Sequence, residues 1–134
     1  MRLDPEALSR QVLEFLTERR LATLTTLRRD GTPHVVPVGF TYETETRLAR
    51  VITSGDSVKA GNAARPGAVA AICQVDGARW LTVSGPVRVD SSPEGVADAV
   101  ARYAARYRPP RENPKRVALL IDVTAILASL RFGS

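Results

Sequence analysis

At 134 residues the chain is one domain, large enough to bury a core without disulfides or metal. Its net charge is +5, yet its mostly Arg cations are scattered (Arg19, Arg20, Arg28, Arg29, Arg47, Arg50, Arg65, Arg79, Arg88) and form no long basic run. That spread suits a solvated surface or a small anionic ligand and argues against a nucleic-acid groove reader. Cys73 is the lone cysteine and His34 the lone histidine, which excludes a disulfide framework and His-pair or thiolate metal sites, and argues against a Ser or Cys hydrolase triad.

The opening MRLDPEALSRQ lacks the apolar core of a signal peptide, and no stretch is long and apolar enough to span a bilayer; the reducing cytoplasm is the expected compartment. Asp4-Pro5-Glu6 has the form of a helix start, with a cap, a first-position proline and an acid on the favourable dipole end. Leu8, Val12, Phe15 and Leu16 then share one face, predicting an amphipathic helix over 4–18 that lies on the core. Apolar and β-branched residues predict a strand over 21–27, and Asp30-Gly31 marks a hairpin turn.

The answering strand, over 34–42, has two apolar faces. His34, Val36, Val38, Phe40 and Tyr42 share one, and Val35, Pro37, Gly39 and Thr41 the other. An antiparallel strand with one wet side would alternate apolar and polar, so the core must cover one face and a partner subunit or flat ligand the other. Pro37 and Gly39 mark an interruption of the ladder where another group can approach the backbone.

A polar turn over 43–46 leads to a strand over 48–54, which delivers the chain to Gly55-Asp56-Ser57-Val58-Lys59. This reads as a tight turn opening a short helix that Arg65-Pro66-Gly67 ends. Lys59 is the odd residue, because a cation in the first turn opposes the helix dipole. Two readings stay open. Asp56 or Ser57 caps the helix with Lys59 solvated or paired to Asp56, or Thr53, Ser57 and Lys59 surround an anion such as a phosphate.

Strands over 68–75 and 79–90 follow, joined by a hairpin at Asp76-Gly77; Cys73 sits in the first as an inert buried thiol. In the second, Leu81, Val83, Val87 and Val89 point one way and Trp80, Thr82, Ser84 and Arg88 the other. Ser92-Pro93-Glu94 starts a helix to Tyr107, with Arg102, Arg106 and Arg108 along its outer side, read as a solvated flank in preference to a ligand clamp. A stiff Pro-rich loop over 108–114 leads to a last strand over 117–127. The sum is a mainly β (α+β) chain, a six-stranded antiparallel barrel with flanking helices; no G-x-G-x-x-G follows a strand, so a Rossmann site is excluded.

The order of elements, with LATLTTLR, HVVPVGFTY, ARVITS, SVKAGNA, QVDGARWLTVSG and ARYAARYRPPRENPKRV at their spacings, resembles the flavin-binding split-barrel family typified by pyridoxamine 5′-phosphate oxidase. Within it the strings look like the actinobacterial branch of biliverdin reductases that use the 8-hydroxy-5-deazaflavin coenzyme F420. The resemblance implies a homodimer with the coenzyme in a groove between two split barrels and a small anionic substrate. Ser57 and Lys59 match the positions that hold the coenzyme phosphate, with Thr53 and Gly55 in the turn before them. The backbone of Val36, Pro37 and Val38 matches the strand beside the ring, and Gln74, Arg79 and Trp80 match a strand pair that reaches into the groove from the partner.

Two departures narrow the activity. No histidine follows His34, unlike the oxidase, which disfavours oxidation of pyridoxamine phosphate; Val58 replaces a basic position beside Lys59, which weakens the case for flavin mononucleotide. The resemblance therefore implies hydride transfer from reduced F420 to a conjugated acceptor, biliverdin first. A flavin mononucleotide enzyme and a non-catalytic binder of flavin, deazaflavin or a haem derivative are the alternatives. The coenzyme would carry the chemistry, so no catalytic dyad is needed. Arg79 is the candidate for holding substrate carboxylates and His34 a candidate proton relay.

Overall fold

In the computed structural model, which describes residues 1–132, the chain runs β1 (Arg2–Leu3), α1 (Arg10–Phe15), β2 (Ala22–Leu27), β3 (Pro33–Val38), β4 (Thr41–Glu43), β5 (Leu48–Ser54), α2 (Val58–Ala63), β6 (Val69–Asp76), β7 (Arg79–Asp90), α3 (Pro93–Arg106), β8 (Arg116–Asp122) and β9 (Ala125–Ala128), ending in a 3₁₀ turn (Leu130–Phe132). All pairings are antiparallel. The main path is β3-β2-β6-β7-β8-β5-β4, with β9 on β7 and β1 on β9.

The long strand β7 makes the barrel split. Its first half, Leu81 to Ser84, pairs with β9, and its second half, Val87 to Asp90, pairs with β8. The chain changes sheets at Gly85, where the Asp122 backbone passes so close that no side chain fits. Alternation along β7 puts Leu81, Val83 and Val87 inside, where they join Leu24, Ile72, Leu119, Ile121, Ile126, Phe15 and Phe40 in one core.

The expected class is correct, and its six strands become nine for local reasons. The strand expected over 34–42 breaks at Gly39-Phe40, and that expected over 117–127 breaks at Val123-Thr124, whose amides donate to Arg47 and Ser84 carbonyls (2.9 Å each) outside either ladder. Arg2–Leu3 adds a short strand against β9. That pairing forces the chain to turn back at once. Asp4-Pro5-Glu6 accordingly forms a turn, with the Glu6 amide donating to Asp4 Oδ1 at 2.9 Å, and the helix starts under the Ser9 cap, spanning 10–15 instead of 4–18.

One helix assignment also changes. Arg106 is not on a solvated flank. Its guanidinium turns inward from the last turn of α3 and donates to the carbonyls of Glu18 (2.9 Å) and Phe40 (2.6 Å) and to Gln74 Oε1 (2.7 Å). Burial pulls its pKa below the ordinary guanidinium value and pushes the neighbouring Tyr107 phenol above the ordinary phenol value. Among the described residues no helix is long and apolar enough to cross a membrane.

Candidate functional site

β5 and β8 lie side by side with Ser54 opposite Arg116, so the turn after β5 opens beside the start of β8. The Gly55 amide donates to the Lys115 carbonyl at 2.7 Å, and a Cβ at Gly55 would come within 3.0 Å of that oxygen; the close approach asks for glycine. Ser54 donates to Asp56 (2.6 Å), and Lys115 Nζ reaches the other carboxylate oxygen (3.4 Å). These hydrogen bonds, Ser54 first and Lys115 second, hold the Asp56 carboxyl below the usual range. Asp56 is therefore Lys115's partner, not that of Lys59.

Ser57 is the helix cap. Its Oγ accepts from the Ala60 amide (3.2 Å) and from the Thr53 hydroxyl (3.0 Å), which leaves its own proton free to donate to a ligand. Lys59, half-buried in the first turn of α2, has no ion pair among the described residues. The outcome joins the two readings of this stretch: Ser57 caps the helix, and Lys59 is left unpaired beside a cavity.

That cavity, about 260 Å³, is lined by Pro37, Val38, Gly39, Ile52, Thr53, Ser54, Lys59, Tyr103, Pro110, Asn113 and Arg116. It has an apolar wall from β3 and β5 and two cations, Lys59 and Arg116, neither of which meets a carboxylate among the described residues. β3 is an edge strand that pairs only with β2 among the described strands, so its outer backbone groups belong to no second ladder. An apolar strip beside two uncompensated cations and a free hydroxyl proton suits a flat ring that carries an anion.

The structure brings Pro37, Val38, Thr53 and Lys59 to one cavity, with Gly55 and Ser57 in the same turn and Val36 on the same strand. Four other candidates lie elsewhere in the chain. His34 pairs with Thr26 at the far end of β3, its Nδ1 buried and without a hydrogen-bond partner among the described residues. Gln74 is fully buried, its amide donating to the Phe15 carbonyl (2.7 Å) while its oxygen takes the Arg106 bond; the expectation that it reaches into a groove is corrected. Arg79 pairs with Asp76 and Glu18 and stacks its guanidinium 4.8 Å from the centre of the Phe15 ring, so its charge is balanced within the chain. Trp80 lines a separate apolar recess with Met1, Ala128 and Leu130.

Residue pattern marked Gly39 as a point of close approach, which the cavity lining bears out, but missed Ser54, Tyr103, Asn113 and Arg116. The partial signal was the Arg-Glu-Asn-Pro-Lys-Arg string over 111–116, which has loop chemistry but no address until β8 is paired with β5.

The outer face of the sheet formed by β3, β2, β6, β7 and β9 is also distinctive. Val35, Thr25, Ala71 and Ser84 lie in one row, and Pro37, Thr23, Cys73, Thr82 and Leu127 in the next. Leu27, Val69, Val75 and Trp80 extend it; no charged side chain stands within these rows, and Arg2 on β1, opposite Leu127, bounds the second. Cys73, expected inside, faces outward on this surface and is half-buried. No group of three or more His, Cys, Asp or Glu side chains gathers for a metal among the described residues.

Comparison with known proteins places this architecture. The family model described as pyridoxamine 5′-phosphate oxidase matches residues 8–129. A protein of Mycobacterium tuberculosis (strain CDC 1551 / Oshkosh) named F420H(2)-dependent biliverdin reductase is 54% identical over 122 residues, which are 91% of this chain and 88% of that one. Among solved structures, a conserved hypothetical protein from Mycobacterium tuberculosis has a TM-score of 0.77 at 20% identity, covering 96% of this chain and 89% of its own. A structure named F420 Reductase gives 0.69 at 24% identity, covering 85% of this chain and 94% of its own. The structural likenesses establish the split-barrel fold; the family match and the mycobacterial relative, each spanning about nine-tenths of the chain, establish kinship, and the chain belongs to the pyridoxamine 5′-phosphate oxidase family.

Proposed function

We propose that this chain is a reductase that takes hydride from reduced coenzyme F420 and passes it to biliverdin. The observation that carries the reading is the 54% identity, over 91% of the chain, to the mycobacterial protein named for that activity. The residues present fit such a coenzyme: two cations without carboxylate partners and a hydroxyl with a free proton stand beside an apolar edge strand. A bound deazaflavin supplies a hydride in a two-electron step, and biliverdin, gaining that hydride at its central methine bridge and a proton at a pyrrole nitrogen, becomes the two-electron-reduced product.

The chain's own contribution is position and charge. Lys59 and Ser57 hold the phosphate, with Thr53 orienting the Ser57 hydroxyl. Pro37, Val38 and Gly39 offer a flat backbone surface for the ring, and Arg116 faces the same cavity as a second cation. A second copy of the chain covers the uncharged sheet face and makes the groove two-sided.

Incubating the protein with reduced F420 and biliverdin tests the reading. The oxidised coenzyme's visible absorbance should return in step with loss of biliverdin. Coenzyme binding without any turnover would instead select a carrier, and preferential binding of flavin mononucleotide would move the protein to the flavin branch. Lys59→Ala is expected to weaken coenzyme binding by about 10–100-fold, the worth of one charge-assisted contact, in a fluorescence titration. Its unfolding midpoint should hold or rise slightly, because an unpartnered first-turn cation opposes the dipole and Ala is the better helix former.

A further inference from the structure

We infer that Arg106 and Tyr107, at the end of α3, are positioning residues for the coenzyme groove, acting through the backbone of Phe40. The inference rests on the reading of that cavity as the coenzyme site. β3 ends at Val38 and β4 begins at Thr41, so Gly39 and Phe40 leave the ladder at the point where the strand forms the cavity wall. Phe40 is almost fully buried, and its freed backbone groups need partners there. Both partners come from one turn of α3. The Phe40 amide donates to the Tyr107 hydroxyl at 3.2 Å, and the Phe40 carbonyl accepts from Arg106 Nη1 at 2.6 Å.

Each of these side chains is itself anchored. Tyr107 donates its proton to the Arg20 carbonyl (2.7 Å), while Arg106 uses its other nitrogens on Glu18 and Gln74 and lies 4.8 Å from the Phe40 ring centre. The Tyr103 and Tyr107 rings, 4.9 Å apart, press on the bend so closely that a Cβ on Gly39 would sit 2.9 Å from Tyr103 Cε2 and 3.0 Å from Tyr107 Cε2. Tyr103 also lines the cavity. The path from helix to ligand is thus continuous: guanidinium and phenol to the Phe40 peptide, the peptide to the Gly39 bend, and the bend to the wall at Pro37 and Val38. Arg106 meets its three acceptors from three different nitrogens of one plane, whereas the three donors of a Lys ammonium radiate from a single nitrogen and cannot span the same acceptors.

Tyr107→Phe removes one oxygen while keeping the ring against Gly39, and Arg106→Lys keeps the charge while losing the fork. Ile126→Val, a core change on β9 away from the cavity, reports what lost stability alone does. Two quantities are read: amide exchange at Phe40 in the ligand-free protein, and the dissociation constant for F420. The expected result is faster exchange at Phe40 and coenzyme binding weakened about tenfold in both variants, with Ile126→Val unchanged in both respects although it also loses stability. Faster exchange with unaltered affinity overturns the inference while leaving the coenzyme reading intact, as does an equal affinity loss in Ile126→Val. A wild-type protein that binds no F420 removes the coenzyme reading, and the inference with it.

Discussion

Gly85→Ala is expected to lower the unfolding midpoint by about 10 °C or more, the largest loss expected of an alanine at any described glycine. A Cβ there would overlap the Asp122 carbonyl oxygen and come within 2.9 Å of its carbon and 3.2 Å of the Thr124 amide nitrogen. These are backbone atoms that other bonds fix: Ser84 accepts from the Thr124 amide at 2.9 Å, and the Asp122 side chain is bound by Arg88. Nothing flexible is available to give way. The neighbouring sheets would have to separate where β7 passes from β9 to β8, and overpacking against backbone stands at the upper end of its usual cost, ~3 kcal/mol. Thermal unfolding of Gly85→Ala beside Gly61→Ala checks it, since Gly61 has open space around its Cα and Ala is the better helix former. A Gly85→Ala midpoint equal to wild type would refute this account of the split.

The sheet order that makes Gly85 indispensable was only partly legible in the residues. Alternation in β7 and the caps at Ser57 and Ser92 fix local structure, because a period of two or a side-chain oxygen before a helix acts within a few residues. The breaks at Gly39-Phe40 and Val123-Thr124 answer to remote partners, the tyrosines of α3 in one case and Arg47 and Ser84 in the other. Sequence distance hides such partners. Arg106 is the instructive error: it lies seven residues after buried Ala99, on the same helix face, yet its charge suggests solvent. Spacing was the better guide, since a guanidinium with three acceptors can be buried.

The candidate site divides the same way. Thr53, Ser57 and Lys59 are close in sequence and carry recognisable turn chemistry. Arg116 and Tyr103 reach the cavity only through strand pairing and helix docking. Arg79, a candidate supplied by the family resemblance, is paired within the chain by Asp76 and Glu18, partners that its position in the sequence does not announce.

Val35→Asp is expected to convert the proposed homodimer to monomers at micromolar concentration and to abolish measurable coenzyme turnover. Val35 is 55% exposed in the single chain and sits centrally on β3, level with Thr25 and Ala71 in rows that carry no charge. An edge-strand substitution at so exposed a site costs the isolated subunit at most ~1 kcal/mol, so the barrel should still fold. In a dimer the new carboxylate would be buried twice, once per copy, with no cation in its own row or the next on β2, β6, β7 and β9 to meet it, a penalty of several kcal/mol on association. Each 1.4 kcal/mol is about a tenfold change in the dissociation constant, so even a strong dimer would be lost from the working range. Sedimentation gives the mass, and F420 titration of the same sample shows whether the groove needs both copies. Val35→Thr, neutral and β-branched, should keep the dimer and most of the binding. If Val35→Asp remained dimeric and bound coenzyme like wild type, this face could not be the interface, and the cavity beside Lys59 would have to hold its ligand within one chain.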